Sequence, residues 1–313
     1  MPLNPKFNEY LKQDFDHLYS LGPDKLREIY KQMVQEGKIK EEVGNVEDRI
    51  VKTTLRDTLI RIYRPKTEGT LPVVFWMHGG GFVLGDIEHG DFVCRRITNN
   101  TNCAVISIEY SLCPPYKFPE PENECYEIIK WAYENAEELK IDPSRICLAG
   151  DSAGASLAAG LCYRFRNEKT VPICYQVLVY GCFDWDDAGH RKSRIDNGDG
   201  YRLTTYGQAW HKNHHFKNPG DAQNPLASAL FIEDFKGLPP ALIITSEYDP
   251  LRDESIDLAT YFSRAGVEVC IKNYLGIIHG FLGMRQLGLQ EIDDAIYLMS
   301  TRIMEAFNNH LDN

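Results

Sequence analysis

A serine at position 152, a carboxylate cluster at 247–254 and a histidine at 279 are the residues in this 313-residue chain whose types and order could activate a hydroxyl. Ser152 sits in Gly150-Asp151-Ser152-Ala153-Gly154. An apolar run, Arg145-Ile146-Cys147-Leu148-Ala149, precedes it, and the helix-forming Ala155-Ser156-Leu157-Ala158-Ala159 follows. Strand, sharp turn and helix, with serine at the turn, is the context of a nucleophile elbow, which lifts the hydroxyl above the end of a sheet. Glycines on both flanks keep side chains out of a crowded turn. The N–H of Ala153 opens the helix and, with the helix dipole behind it, can point at a developing oxyanion.

Serine is a poor nucleophile at neutral pH and needs a base, which in turn needs an orienting acid. Elbow serines are followed in the chain first by Asp or Glu and then by His. Of the nine histidines, only His279 and His310 lie beyond the expected strands at 241–247 and 267–274. His310 ends a polar helix, where the chain frays. His279 lies in the glycine-flanked loop Leu275-Gly276-Ile277-Ile278-His279-Gly280-Phe281 and is the expected base. Asp249 is the first carboxylate clear of the strand end, with Pro250 fixing the turn behind it, and is the expected acid. Asp253 and Glu254 fall in the first turn of the next helix, where interaction with the positive helix end accounts for them.

An oxyanion hole needs further donors. His78-Gly79-Gly80-Gly81 directly follows the apolar run 71–77. Three glycines at a strand end cost chain entropy and make sense where backbone N–H groups approach a substrate oxygen. Gly80 and Gly81 are therefore assigned as donors beside Ala153, with His78 bracing the loop. Phe82 and Trp210 are the candidates for the substrate pocket. Asp151, also beside that pocket, is expected to bond turn backbone near the nucleophile. His211, His214 and His215 have helical spacing that could hold a metal. Without a nearby Cys or carboxylate to complete a ligand set, no metal is expected.

These groups must be held by the elements around them. Two polar amphipathic helices are expected across 7–40, then a strand hairpin at 49–53 and 58–65 and a buried strand at 71–77. A helix at 88–100, a strand at 103–110, a proline-broken loop at 110–119 and a helix at 122–138 follow. Asp142-Pro143-Ser144 reads as a turn into the elbow strand, and 174–181 as a further strand. Residues 183–225, rich in Asp, His, Arg, Asn and Gly, break the pattern and read as an insertion with one helix at 204–215. Strand 241–247, helix 251–265, strand 267–274 and helix 290–308 complete the chain. Strands alternating with helices imply an α/β fold with a mainly parallel sheet covered on both faces.

Composition narrows the function class. A net charge of −11 argues against nucleic acid or an anionic membrane surface as the main partner. The N-terminus has no apolar core of a signal peptide, and no run of about 18 apolar residues predicts a membrane span. The nine cysteines include no C-x-x-C pair, and several fall in expected strands. They read as buried free thiols in a reducing, cytoplasmic setting.

Taken together, His78-Gly79-Gly80-Gly81-Phe82, the Gly150–Gly154 pentapeptide, Tyr248-Asp249-Pro250-Leu251-Arg252-Asp253-Glu254 and His279-Gly280-Phe281 resemble the hormone-sensitive-lipase-like family of α/β-hydrolases, in its bacterial carboxylesterase branch. Tyr110-Ser111-Leu112, Phe118-Pro119, Asn224-Pro225-Leu226 and Gly237-Leu238-Pro239-Pro240 agree, so the likeness spans about 48–285. The resemblance implies an α/β-hydrolase fold: an eight-stranded, mostly parallel sheet with a helical cap. The cap would comprise 1–45 and 183–225, and the core 46–182 and 226–313. It implies a Ser152-His279-Asp249 triad and an oxyanion hole of Gly80, Gly81 and Ala153. It also implies a small-molecule ester substrate with a short to medium acyl chain, no cofactor, and a homodimer through the last edge strand at 267–274. Cys113-Pro114-Pro115 departs from the family's loop, which bears on pocket shape; Ser255 stands where a glycine is common. An amidase or deacetylase with the same triad, and a non-catalytic binder on this fold, are the alternative readings.

Overall fold

The computed structural model describes residues 1–36, 41–186 and 189–310. The last part of the second expected helix, 37–40, lies outside these residues. The first expected helix is broken into 3-10 turns at Pro5–Phe7 and Tyr10–Lys12 and a short α1 at Phe15–Ser20. Local caps divide it: the Asn4 carboxamide accepts from the Lys6 N–H and the Asp14 carboxylate from the His17 N–H, each starting a new helical turn. Gly22, at φ 84°, then separates α1 from α2 (Pro23–Glu36).

The sheet begins with β1 (Asn45–Lys52) and β2 (Asp57–Arg64), then β3 (Leu71–Met77), α3 (Ile87–Thr101), β4 (Ala104–Ile108) and α4 (Glu120–Glu134). It continues with β5 (Ile141–Asp151), α5 (Ala153–Glu168), β6 (Tyr175–Val179), and, after an excursion from the sheet, β7 (Ala241–Tyr248) and β8 (Val269–Ile278). The eight strands lie in the order β1-β2-β4-β3-β5-β6-β7-β8. The β1–β2 and β2–β4 pairs are antiparallel and all others parallel. The central strands are buried on both faces, which is why they read as nearly continuous apolar runs. Along β3 the residues alternate between two cores. Val73, Phe75 and Met77 pack with α4 and α5, whereas Val74 and Trp76 pack with α3 and the C-terminal helix.

Asp142-Pro143-Ser144 is taken into β5 rather than preceding it. The Asp142 carboxylate accepts from the Ser144 N–H at 2.9 Å, and the β3–β5 register shifts there, between Leu71 and Val73. At the other edge, β8 runs four residues past the expected end, through Gly276 at φ 73°, and pairs Ile278 with Tyr248 after a register shift. His279 therefore follows the strand directly.

Between β6 and β7 the chain forms α6 (Lys192–Asn197), which the sequence reading did not anticipate, and α7 (Thr205–His215), with 3-10 turns at Pro219–Gln223 and Ala229–Phe231. α1 packs on α7: the Tyr19 ring lies 5.3 Å from Trp210 and tightly over Gly207. Helices α8 (Arg252–Arg264) and α9 (Gln290–Asn309) complete the two faces.

Candidate active site

β5 ends at Asp151, and Ser152 occupies the single residue between it and α5, with φ 52° and ψ −118°. This is a costly conformation for a residue with a side chain, held by its surroundings. Its N–H donates to the Val179 carbonyl on β6 at 2.8 Å, and its carbonyl accepts from Ala155 at 3.0 Å as α5 begins. The turn is closely packed. A Cβ at Gly154 would stand 1.9 Å from the Met77 carbonyl oxygen, so only glycine lets α5 start against the end of β3.

Ser152 Oγ lies 3.0 Å from His279 Nε2, and His279 Nδ1 lies 2.8 Å from Asp249 Oδ2. Asp249 is fully buried; its other oxygen accepts from the Leu251 N–H at 2.8 Å. That bond leaves Oδ2 for the imidazole. A carboxylate on Nδ1 selects the tautomer with its proton there and leaves Nε2 free to accept from the serine hydroxyl. The Tyr180 ring meets the His279 ring edge-on, with centroids 5.0 Å apart, and fixes its plane.

Gly80, Gly81 and Ala153 line the same cavity as Ser152. Among the described residues no acceptor takes the N–H groups of Gly80 and Gly81. Ala153 is the first residue of α5, where a helix N–H has no partner of its own. Gly80 (φ 120°) and Gly81 (φ 60°) have left-handed backbones. A Cβ on Gly80 would lie 2.1 Å from the Leu84 carbonyl oxygen, so this loop has no room for a side chain there.

Asp151 ties this loop to the elbow. Its Oδ1 accepts from the Gly79 N–H at 2.9 Å, while Oδ2 meets the Tyr180 hydroxyl at 3.3 Å and His89 Nε2 at 3.4 Å. The backbone it bonds is 72 residues away and not the local turn that the sequence suggested. Burial pushes its carboxyl up, but His89, His78 and the Gly79 N–H together hold it below the ordinary value. His78 braces the loop from beneath. Its ring stacks on Tyr110 at 4.3 Å, Nδ1 lies 2.7 Å from the Gly79 carbonyl, and burial lowers its pKa to about 4.

A family profile for the α/β-hydrolase fold matches residues 74–283. An arylesterase of Saccharolobus solfataricus is 33% identical over 290 residues, covering 90% of this chain and 93% of its own. Carboxylesterase NlhH of Mycobacterium tuberculosis is 34% identical over 238 residues, 73% of this chain and 72% of its own. The solved hyperthermophilic esterase of the archaeon Pyrobaculum calidifontis is 35% identical and superposes with a TM-score of 0.91 over 97% of this chain and 99% of its own. The chain belongs to the hormone-sensitive-lipase-like family of α/β-hydrolases.

The hydrolase's cavity, about 260 Å³, opens onto Ser152. Two residues expected in its wall are not there. Phe82, at φ 62°, turns inward and is 1% exposed; its ring stacks on His215 at 3.8 Å. Trp210 packs on Tyr19 and His214 outside the cavity. On α7 the wall is formed by Thr205, Gln208, Ala209 and Lys212, spaced i, i+3, i+4 and i+7, and by His211. Position 210 falls on another face of that helix. The three histidines of α7 diverge. His211 lies against Gly81 and is pushed down to about 3 by burial, against a smaller upward pull from the Gly81 backbone. His214 Nδ1 lies 2.7 Å from the Trp210 carbonyl, and His215 Nε2 lies 3.2 Å from Glu122.

Glu254 and Asp253 serve the insertion rather than their own helix end. Glu254 accepts from the Phe183 N–H at 2.8 Å and pairs with Arg194 at 2.7 Å; Asp253 accepts from the Ser193 N–H at 2.7 Å. Both link α8 to the segment that carries α6. Arg202, Tyr30, Tyr19 and His89 also line the cavity. They come from distant stretches with no shared motif, and nothing in the sequence marked them.

Proposed function

We propose that this hydrolase is a serine carboxylesterase acting on esters with short to medium acyl chains. The observation that carries the reading is the continuous hydrogen-bonded line from Ser152 Oγ through His279 to buried Asp249, opening onto one cavity. Ser152 Oγ bonds to the ester carbonyl carbon as its proton moves to His279 Nε2, and the carbonyl electron pair moves onto oxygen. The N–H groups of Gly80, Gly81 and Ala153 bind that oxyanion; one such donor is worth about 3–4 kcal/mol of barrier. Collapse breaks the bond to the leaving oxygen, which takes the proton from His279 and departs as the alcohol. Water then adds to the acyl-enzyme by the same route, giving the acid and restoring Ser152. No step calls for a cofactor.

The cavity, at about 260 Å³, is near the small end of ligand pockets (roughly 300–1,000 Å³), which supports modest acyl chains. Residues 1–45 and 183–225 act as a cap over it; the α1–α7 packing supports this role. No helix of the described residues is long and apolar enough to cross a membrane. Nine free cysteines support a reducing, cytoplasmic site of action. Exposed Ile271 and Leu275 on the edge strand β8 support a homodimer formed there.

The test is p-nitrophenol release from a C2-to-C16 ester series, with matched anilides, in the wild type and Ser152→Ala. Turnover that favours short esters over anilides and vanishes in the folded variant is expected. Undiminished turnover in Ser152→Ala refutes the assignment.

A further inference from the structure

We propose that Arg202 makes the active site prefer esters whose alcohol half carries a carboxylate, an inference that rests on the carboxylesterase reading above. Arg202 comes from the loop between α6 and α7 and is a half-buried part of the cavity wall. Its Nη1 donates to the Gly280 carbonyl at 3.2 Å. Gly280 is the residue after His279, whose Nε2 delivers the proton to the leaving oxygen. That bond holds the guanidinium beside the histidine that would protonate the leaving alcohol, in the same cavity.

The other cations in the wall are already matched. Arg194 pairs with Glu254 at 2.7 Å, and Lys212 with Asp186 at 3.2 Å. No carboxylate of the described residues lies within 4.0 Å of Arg202. Asp151, the carboxylate in the wall, is engaged by Gly79, Tyr180 and His89. Arg202 reaches it through Tyr30, whose hydroxyl it engages and whose ring centre lies 6.0 Å away, and through His89, whose Nδ1 is 3.0 Å from the Tyr30 hydroxyl.

The phenols around Arg202 supply no counter-charge. Burial raises Tyr30 to about 12 and Tyr19 higher still, so both are neutral at working pH. Behind the arginine lies a second small cavity that shares Tyr19, Tyr30, Leu84 and Arg202 with the first and is otherwise walled largely by Leu18, Leu26, Ile29 and Met33. That apolar backing provides no anion and keeps the local dielectric low, which strengthens any pairing made at the front. A guanidinium offers five donors in a planar fork suited to a carboxylate; one is committed to Gly280 and another is engaged by the neutral Tyr30 hydroxyl, which leaves the rest open. A carboxylate on the substrate completes the set.

A purely structural Arg202, strapping the loop to Gly280, would affect every substrate alike. The experiment therefore reads a ratio: kcat/KM for 3-acetoxybenzoate over kcat/KM for neutral 3-acetoxybenzamide, in the wild type, Arg202→Gln and Arg202→Lys. The intrinsic difference between the two esters cancels between enzymes. The ratio is expected to fall roughly ten- to a hundredfold in Arg202→Gln, the range for a hydrogen bond to a charged group, and to fall less in Arg202→Lys. Equal losses on both esters, leaving the ratio unchanged, overturn the assignment to Arg202 while the esterase reading stands. A wild type inert toward both esters and toward p-nitrophenyl acetate overturns the esterase reading, and this inference with it.

Discussion

Asp151 joins the turn that carries Ser152 to the Gly79–Gly81 loop, the proposed oxyanion donors, and Asp151→Ala separates them. The substitution removes the acceptor of the Gly79 N–H, held at 2.9 Å, and leaves that buried donor unpaired. It also takes away the partner that the Tyr180 hydroxyl and His89 share. One unpaired buried donor costs about 1–3 kcal/mol of stability. The catalytic cost arises one residue further on. Gly80 follows Gly79 directly, and an oxyanion donor in place is worth about 3–4 kcal/mol. If the loosened loop forfeits about half of this, the barrier rises by about 2 kcal/mol and kcat falls roughly 30-fold. KM should change little, because the oxyanion forms only after binding. Asp151→Asn keeps an acceptor for Gly79 and should recover most of the rate. The assay is steady-state kinetics on p-nitrophenyl butyrate beside thermal melting of all three proteins. Wild-type kcat in Asp151→Ala refutes the clamp. A rate in Asp151→Asn as low as in Asp151→Ala would instead assign the effect to the negative charge.

Two further outcomes follow from the same geometry. His78 and His211 are buried with pKa values of about 4 and 3, below the 6.5 of an exposed histidine. Between these values the unfolded chain binds more protons than the folded one, so the stabilisation is whole above pH 6.5 and is lost as the pH falls toward about 4 for His78 and about 3 for His211. By pH 4.5 each ring accounts for about 2–3 kcal/mol. Urea denaturation at pH 7 and 4.5 should show His211→Gln losing less stability on acidification than the wild type; equal losses would contradict this. For the β8 dimer, sedimentation at micromolar concentration should give a dimer that Leu275→Glu dissociates, whereas a monomeric wild type would remove it.

Much of the site was legible because its chemistry constrains local sequence. Gly150 and Gly154 flank Ser152 because the end of β3 presses on the turn, so the packing problem is written in the pentapeptide itself. Gly80 and Gly81 are equally readable, since their backbone angles and neighbours exclude side chains. Chain order and strand ends singled out Asp249 and His279, which the structure brings together with Ser152, although β8 runs further than its pattern suggested because Gly276 permits an irregular strand to continue.

The pocket wall was less legible. Trp210 and Phe82 are large and aromatic, which suits a core as well as a pocket, and the core claimed both. The periodicity of Thr205, Gln208, Ala209 and Lys212 marked the cavity face of α7, but a polar helical face reads equally as one turned to solvent. Arg202, Tyr30 and His89 meet only through the way the N-terminal helices fold against the insertion, and no local pattern encodes that meeting. Likewise, Glu254 seemed to belong to its own helix end, and only the tertiary structure brings Phe183 and Arg194 to it.

The proposed nucleophile is Ser152, activated by His279 and Asp249. The most direct test of that role is mass spectrometry of the protein after exposure to diethyl p-nitrophenyl phosphate, whose phosphorus an activated serine attacks with loss of p-nitrophenol. One diethylphosphoryl group on the peptide containing Ser152, formed as p-nitrophenyl ester turnover disappears and absent from Ser152→Ala, is the expected result. Loss of turnover with the group on another residue, or an unlabelled enzyme that still hydrolyses esters, would contradict it.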